Sequence, residues 1–315
     1  MSDTSMINLA LTRARDLSRR AGIGWALIDD NQQLLHYDAC MAGLDAGKLE
    51  STIRQYGDRA SELFISSEPT TVTFDLNRLT QIIETSSIQS IRIGRGFNGS
   101  IVDSEWRRWL QNWKGSVIQM PFNPVIEKLS LGIQLLHSSR RPWVTSVTAA
   151  DLSGKSRSMS AFIQEFDFLN YIAVLARQSR AVLVSPAQQD LIEHLPEDNH
   201  ANEPLEYFEI FDDGNVEAIL RHCANEYRCS ILVLADIPLL SHLLNQGLVD
   251  EVVHHLTNNS HEHYGENEPH MAHSPLKLDG WKLQSSSVVG HCNRMIYGKP
   301  MAYPPQEDES GRRLN

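Results

Sequence analysis

The chain has 315 residues, 41% of them apolar and 21% charged, which is enough for two domains that each bury a core without disulfides or metal. A formal net charge of −11 speaks against broad binding to nucleic acid or to anionic lipid, because both need a basic surface. No stretch approaches the about 18 consecutive apolar residues of a membrane span, and the first twenty residues hold no apolar run of signal-peptide length, so the expected location is the cytoplasm.

Residues 6–21 place Ile7, Ala10, Leu11, Ala14, Leu17 and Ala21 at helical spacing, with Gly22 to end the helix. Two strand-like runs follow, GWALID and QLLHYD, and Asp30-Asn31 between them predicts a hairpin. Then come KLESTIRQYGDRA (helix), SELFISSEP (strand), LNRLTQIIET (helix), IQSIRIG (strand), SEWRRWLQNW (helix) and GSVIQMP (strand). This order predicts a three-layer α/β sandwich over residues 1–121. Residues 122–141, with Ser138-Ser139-Arg140-Arg141 at their end, read as the connection to a second domain.

The second alternation runs from 142 to 300: PWVTSVTA (strand), FDFLNYIAVLARQS (helix), RAVLVSP (strand), QQDLIEHL (helix), LEYFEIF (strand), NVEAILRHCANEY (helix), CSILVLAD (strand), PLLSHLLNQGL (helix) and DEVVHHLT (strand). Apolar runs such as ILVLA are those of parallel strands covered on both faces. Residues 258–276 are polar, histidine-rich and without period, and read as a long loop. The tail 301–315 reads as disordered.

Two motifs carry less than they promise. Gly94-Arg95-Gly96-Phe97-Asn98-Gly99 has the spacing of a dinucleotide fingerprint, but no acidic residue follows at the end of the next strand to hold a ribose, so a glycine-rich turn is expected. His261 and His263 sit in the irregular loop without a rigid scaffold, and His254-His255 lie on a strand, where neighbours face opposite ways and cannot share one ion. The four cysteines, Cys40, Cys223, Cys229 and Cys292, show no zinc-finger spacing and read as buried thiols.

The strand ending Glu68-Pro69 is followed by Thr70. In its order of elements the first half resembles the cytidine-deaminase-like part of the bifunctional riboflavin-biosynthesis deaminase/reductase family. That family places His-Ala-Glu at the start of the second helix, then Pro-Cys and Pro-Pro-Cys, to hold zinc and shuttle protons. At the matching places stand Lys48-Leu49-Glu50, Pro69-Thr70 and Asp75-Leu76-Asn77. The resemblance implies that Glu50 remains as a remnant of the proton shuttle. Zinc is not expected, because an ammonium and threonine hydroxyls are poor ligands, and without the ion no hydroxide forms near neutral pH.

The second half resembles the family's reductase, of dihydrofolate-reductase-like fold. Arg141-Pro142-Trp143-Val144-Thr145 matches its entry strand, Asp151-Leu152-Ser153-Gly154-Lys155 its Ser-Leu-Asp-Gly-Lys with two residues exchanged, and Ser160-Ala161-Phe162-Ile163 its Ser-x-Trp-Ile. The implied substrate side is Ser153, Gly154, Lys155, Arg157, Ser160 and Arg177, with the three cations as candidates for a ribose phosphate. The implied cofactor side is Val184, Ser185, Ala235 and Asp236. Here the family's Gly-x-Gly-Thr-Val and Glu-Gly-Gly are replaced by Ser185-Pro186-Ala187-Gln188-Gln189 and Ala235-Asp236-Ile237. Bulk, a like charge and a missing donor stand where a pyrophosphate would meet bare backbone, so tight NADPH binding in the family's manner is not expected. A rearranged loop leaves NADPH open as a cofactor.

The expected fold class is therefore a cytidine-deaminase-like three-layer α/β domain followed by a dihydrofolate-reductase-like α/β domain. The expected partner is a small pyrimidine-, pteridine- or flavin-like ligand rather than nucleic acid or membrane, with either a homodimer or a pairing with an active paralogue as the assembly.

Overall fold

The structure is a computed structural model. It describes residues 22–41, 47–69, 75–94, 104–120, 124–152, 154, 156–159, 166–179, 181–195, 205–210, 213–226, 228–257, 276–289 and 292–299. The helix expected at 6–21, most of the histidine-rich loop and the tail 301–315 lie outside these residues. The chain divides into two compact units: Met1–Trp143 with Val174–Leu183 and Pro196–Leu232, and Val144–Ala173 with Val184–Leu195 and Val233–Asn315.

The first sheet begins with the expected hairpin, β1 (Gly22–Ile28) antiparallel to β2 (Leu34–Met41). Its turn is tied by Asp29, whose Oδ1 accepts from the backbone N–H of Asn31 at 2.9 Å and of Gln33 at 2.8 Å. There follow α1 (Lys48–Tyr56), β3 (Glu62–Ile65), α2 (Leu76–Glu84), β4 (Ser90–Ile93), α3 (Ser104–Asn112) and β5 (Ser116–Gln119). The five strands lie in the order β2-β1-β3-β4-β5, with β3, β4 and β5 parallel and β1 antiparallel to both its neighbours. Helix α1 packs on β2 and α2, and the core they close includes Trp25, Leu27, Leu49, Ile53, Leu63, Leu79, Ile91 and Trp106.

Within the expected connection lies a sixteen-residue helix, α4 (Pro124–Ser139), whose Ile133 and Leu136 belong to that same core. Its apolar residues spread over more than half of its circumference, so only a weak amphipathic period marks it in the sequence.

The second sheet has eight strands. Its elements are β6 (Trp143–Asp151), β7 (Ser156–Arg157), α5 (Phe166–Ser179), β8 (Ala181–Val184), α6 (Gln189–Glu193), β9 (Glu206–Glu209), α7 (Asp213–Asn225), β10 (Ser230–Leu234), α8 (Ile237–Asn245), β11 (Glu251–Thr257), β12 (Lys282–Val289) and β13 (Cys292–Gly298). The order is β12-β13-β11-β6-β10-β8-β9, with β7 on β6. Strands β6, β8 and β10 are buried along nearly their whole length, as continuous apolar runs require. The hairpin β12–β13 was not expected from the sequence: KLQSSSVV has no alternation of apolar and polar residues to declare it. The four cysteines are buried and none forms a disulfide. No helix among the described residues is long and apolar enough to cross a membrane.

Candidate functional site

In the first unit, three carboxylates meet three cations around the start of α1 and the end of β3. Lys48 opens α1, and its Nζ lies 2.9 Å from Asp38 Oδ2 on β2. Two residues on, in the first turn, Glu50 is buried, with Arg78 Nε of α2 at 2.8 Å from its Oε2. That oxygen has no well-directed hydrogen bond, so the pair is an ionic contact. Burial raises the Glu50 pKa from its ordinary value; Arg78 opposes the rise and Asp75 adds to it. Asp75 is itself committed as the N-cap of α2, accepting from Arg78 N–H at 3.2 Å.

Past the end of β3, Glu68 is buried and accepts from Arg107 twice, Nε to Oε1 at 3.3 Å and Nη2 to Oε2 at 3.4 Å. Arg107 reaches it from α3, on which Trp106 faces the core. Thr70 lies outside the described residues. A divalent zinc ion does not fit this set. Its carboxylates already hold guanidinium or amine groups, and the Lys48 side chain, bound to Asp38, stands where the resemblance requires imidazole. No group of three or more His, Cys, Asp or Glu that could hold a metal occurs among the described residues. Arg78 and Arg107 were not among the residues singled out from the sequence, and no local spacing marks them, because their partners lie on other elements.

In the second unit, β6 ends at Asp151, and Gly154 turns the chain back with φ +82°, its N–H donating to Asp151 O at 2.9 Å. The left-handed conformation suits glycine. Arg157, on β7, donates from Nη2 to Asp151 Oδ2 at 3.1 Å. Arg157 and Gly154 are thus brought to one strand end. Ser153, Lys155 and Ser160 lie outside the described residues. Arg177 falls in the last turn of α5, in a segment that belongs to the first unit, half-buried and with no hydrogen-bond partner for its Nε.

The two turns that resemble cofactor turns are closed by the chain's own groups. After Val184, Ser185 donates its N–H to Leu234 O at 3.1 Å, while its Oγ is buried without a hydrogen-bond partner. Pro186–Gln188 form a 3-10 turn. The Gln188 side chain is 1% exposed and its Oε1 accepts from the Met159 N–H at 2.7 Å and from Ser158 Oγ at 3.4 Å. After β10, Ala235 donates its N–H to Val147 O at 3.0 Å. Asp236 caps α8, accepting from Leu239 N–H at 2.9 Å, and Ile237 N–H meets Ser156 Oγ at 3.4 Å. Pro238 has no N–H to offer. At the α8 turn the donors that a helix N-terminus could turn toward a phosphate are consumed, and a carboxylate sits among them. A dinucleotide pyrophosphate does not fit the α8 turn as it stands.

His254 and His255 occupy adjacent positions of β11, paired in register with Thr148 and Ala149 of β6. Both are buried, and His255 packs edge-on against Phe168 at 4.9 Å and Tyr171 at 5.9 Å between centroids. Burial pushes their pKa values down from 6.5 to about 4 and about 3, with Arg294 and then His254 adding to the shift of His255. They are neutral core residues.

No protein-family model matches the chain, and no curated protein matches it. Among solved structures it is similar to RibD of Acinetobacter baumannii, with a TM-score of 0.66 and 15% identity over 95% of this chain and 99% of that one. It is also similar to a diaminohydroxyphosphoribosylaminopyrimidine deaminase/5-amino-6-(5-phosphoribosylamino)uracil reductase from Thermotoga maritima, with a TM-score of 0.61 and 14% identity over 94% and 98% of the two chains. The chain has the fold of these two-part proteins along nearly its whole length.

Proposed function

We propose that this chain is a diverged relative of the riboflavin-pathway deaminase/reductase that keeps both folds and has lost zinc-dependent deamination. Its deaminase-like part spans 1–121 and its reductase-like part 142–300, joined across 122–141. Its role is binding, regulation or assembly around a pyrimidine-, pteridine- or flavin-related ligand. The observation that carries this reading is the two-pronged Arg107–Glu68 contact, which sets a fixed positive charge beside the strand end where the related fold needs a metal. The Glu50–Arg78 and Lys48–Asp38 pairs act in the same sense. Without a metal to lower the pKa of water, the attacking hydroxide is not supplied.

The test is elemental analysis of dialysed protein together with an assay for ammonia release from an aminopyrimidine. The expected result is neither stoichiometric zinc nor ammonia; one zinc per chain with ammonia release overturns the reading.

A second reading, an NADPH-dependent reductase acting on a ribosylaminouracil-type substrate, draws on the preserved turn at Gly154 with Arg157 on Asp151. Against it stand the Gln188 and Asp236 contacts. Calorimetric titration with NADPH separates the two, since saturable micromolar binding would favour the reductase. A structural subunit of an active paralogue would instead co-purify with that paralogue and bind neither small molecule.

A further inference from the structure

Helices α1 and α2 pack together in the first unit, and a cavity of about 460 Å³ opens where both of them end. That lies within the range of about 300–1,000 Å³ of small-molecule sites. One wall is the last turn of α1 with Asp58 beyond it, and the other is the last turn of α2 with Thr85 and Ser86 beyond it. The charged cluster around Glu50 and Glu68 contributes none of its residues, since Glu50 sits in the first turn of α1 and Asp75 is the N-cap of α2. The two walls are pinned to each other. Ser87 donates its N–H to Gly57 O at 2.9 Å, and a Cβ on Gly57 would lie 2.9 Å from the Cβ of Ser86, so the chain leaving α1 comes this close to the end of α2 only as glycine. Ile53 and Ile82 are buried members of the core and give the cavity an apolar base.

The polar groups of the cavity divide by what they can offer. Arg54 has only donors and Asp58 only acceptors, and among the described residues neither side chain takes part in an ion pair or a hydrogen bond. The Thr85 hydroxyl points its proton at Gln81 O, 3.1 Å away, or Ile82 O, 3.2 Å away, which leaves its oxygen free only to accept. Ser86 is used both ways, its Oγ donating to Ile83 O at 2.7 Å and accepting from Ile88 N–H at 3.3 Å. Helix α2 has no basic residue in its last turn, so the negative end of its dipole is not offset there. One place in the cavity therefore suits an anionic group, at Arg54. Asp58, Thr85 and the end of α2 suit a cationic one.

We propose that this cavity binds a free α-amino acid with an aliphatic side chain. Its carboxylate meets Arg54, its ammonium group meets Asp58 and Thr85 Oγ1, and its side chain rests on Ile53 and Ile82. A simple anion would answer Arg54 but bring a like charge to Asp58, and a simple cation would do the reverse. A zwitterion answers both and adds no net charge to a chain that already carries −11.

Calorimetric titration of the full chain with L-valine, L-leucine and L-methionine is expected to show saturable binding of at least one of them. The N-acetyl and carboxamide derivatives of the same amino acids, which each lack one of the two charges, should bind at least about tenfold more weakly. Arg54→Gln and Asp58→Asn should each weaken binding of the parent amino acid by a similar factor. Both side chains are exposed, so the circular dichroism spectra of these variants should match the wild type. Binding of none of the three amino acids, or binding that either derivative or either variant leaves at full strength, would overturn the proposal.

Discussion

Arg107 grips Glu68 with two nitrogens, 3.3 and 3.4 Å from its two oxygens, and so neutralises a buried carboxylate from a neighbouring helix. The arginine itself is 42% exposed by its side chain, so part of its charge stays in water.

Replacing Arg107 by Met keeps the apolar stem but leaves Glu68 buried without its cation. The expected loss is about 1–2 kcal/mol, below the value for a fully buried pair because the arginine is partly solvated. Arg107→Met combined with Glu68→Gln should recover most of it. Urea unfolding of the three variants checks this, and equal losses in the single and double variants would show that the charge of Glu68 is not what Arg107 compensates.

Stability should fall as pH drops below neutrality. His254 and His255 titrate near 6.5 when unfolded and at about 4 and about 3 when folded, so below 6.5 the unfolded chain binds more protons. Their contribution is fully present above pH 6.5 and is lost as pH falls toward the folded values, with a slope on the order of 1.4 kcal/mol per pH unit for each. Glu50, whose folded pKa is raised, works in the opposite direction in the lower part of this window. His255→Phe, set among Phe168 and Tyr171, should flatten the dependence between pH 6.5 and 5. Thermal melts across that range measure it, and an unaltered slope would remove His255 from the account.

Gln188→Ala should cost about 1–3 kcal/mol, because it strands the buried Met159 N–H that the glutamine oxygen now accepts. Hydrogen exchange at Met159 is the specific readout: the amide should exchange faster in the variant, and unchanged protection would mean another acceptor takes over.

Asp236→Ala should weaken α8 by about 1 kcal/mol through loss of the bond from Leu239 N–H, while Asp236→Asn, which can still cap, should lose less. Chemical denaturation distinguishes the two. If both variants matched the wild type, the cap would contribute nothing to the folded state.

Much of the architecture was legible in the amino-acid order. The run SILVL became β10, and the alternation of helix and strand from Lys48 to Gln119 became the first sheet, because periodicity reports which side of an element will be covered. Helix α4 and the hairpin β12–β13 were not legible. In the first the apolar residues spread over more than half of the helix, and in the second β12 is exposed along nearly its whole length, so neither carries a sharp contrast between a wet and a dry side.

The candidate site divides along the same line. By itself the sequence determined the charge of Lys48 and Asp236 and the missing N–H of Pro186, because such properties belong to a residue wherever it lies; that they stand at metal-ligand and cofactor positions is what the resemblance implies. Only the tertiary structure decided that Arg107 meets Glu68, that Arg78 meets Glu50 and that Gln188 holds Met159. Those pairings join residues 28 to 39 positions apart, and which of many polar groups meet across such a span is set by how the helices pack on the sheets.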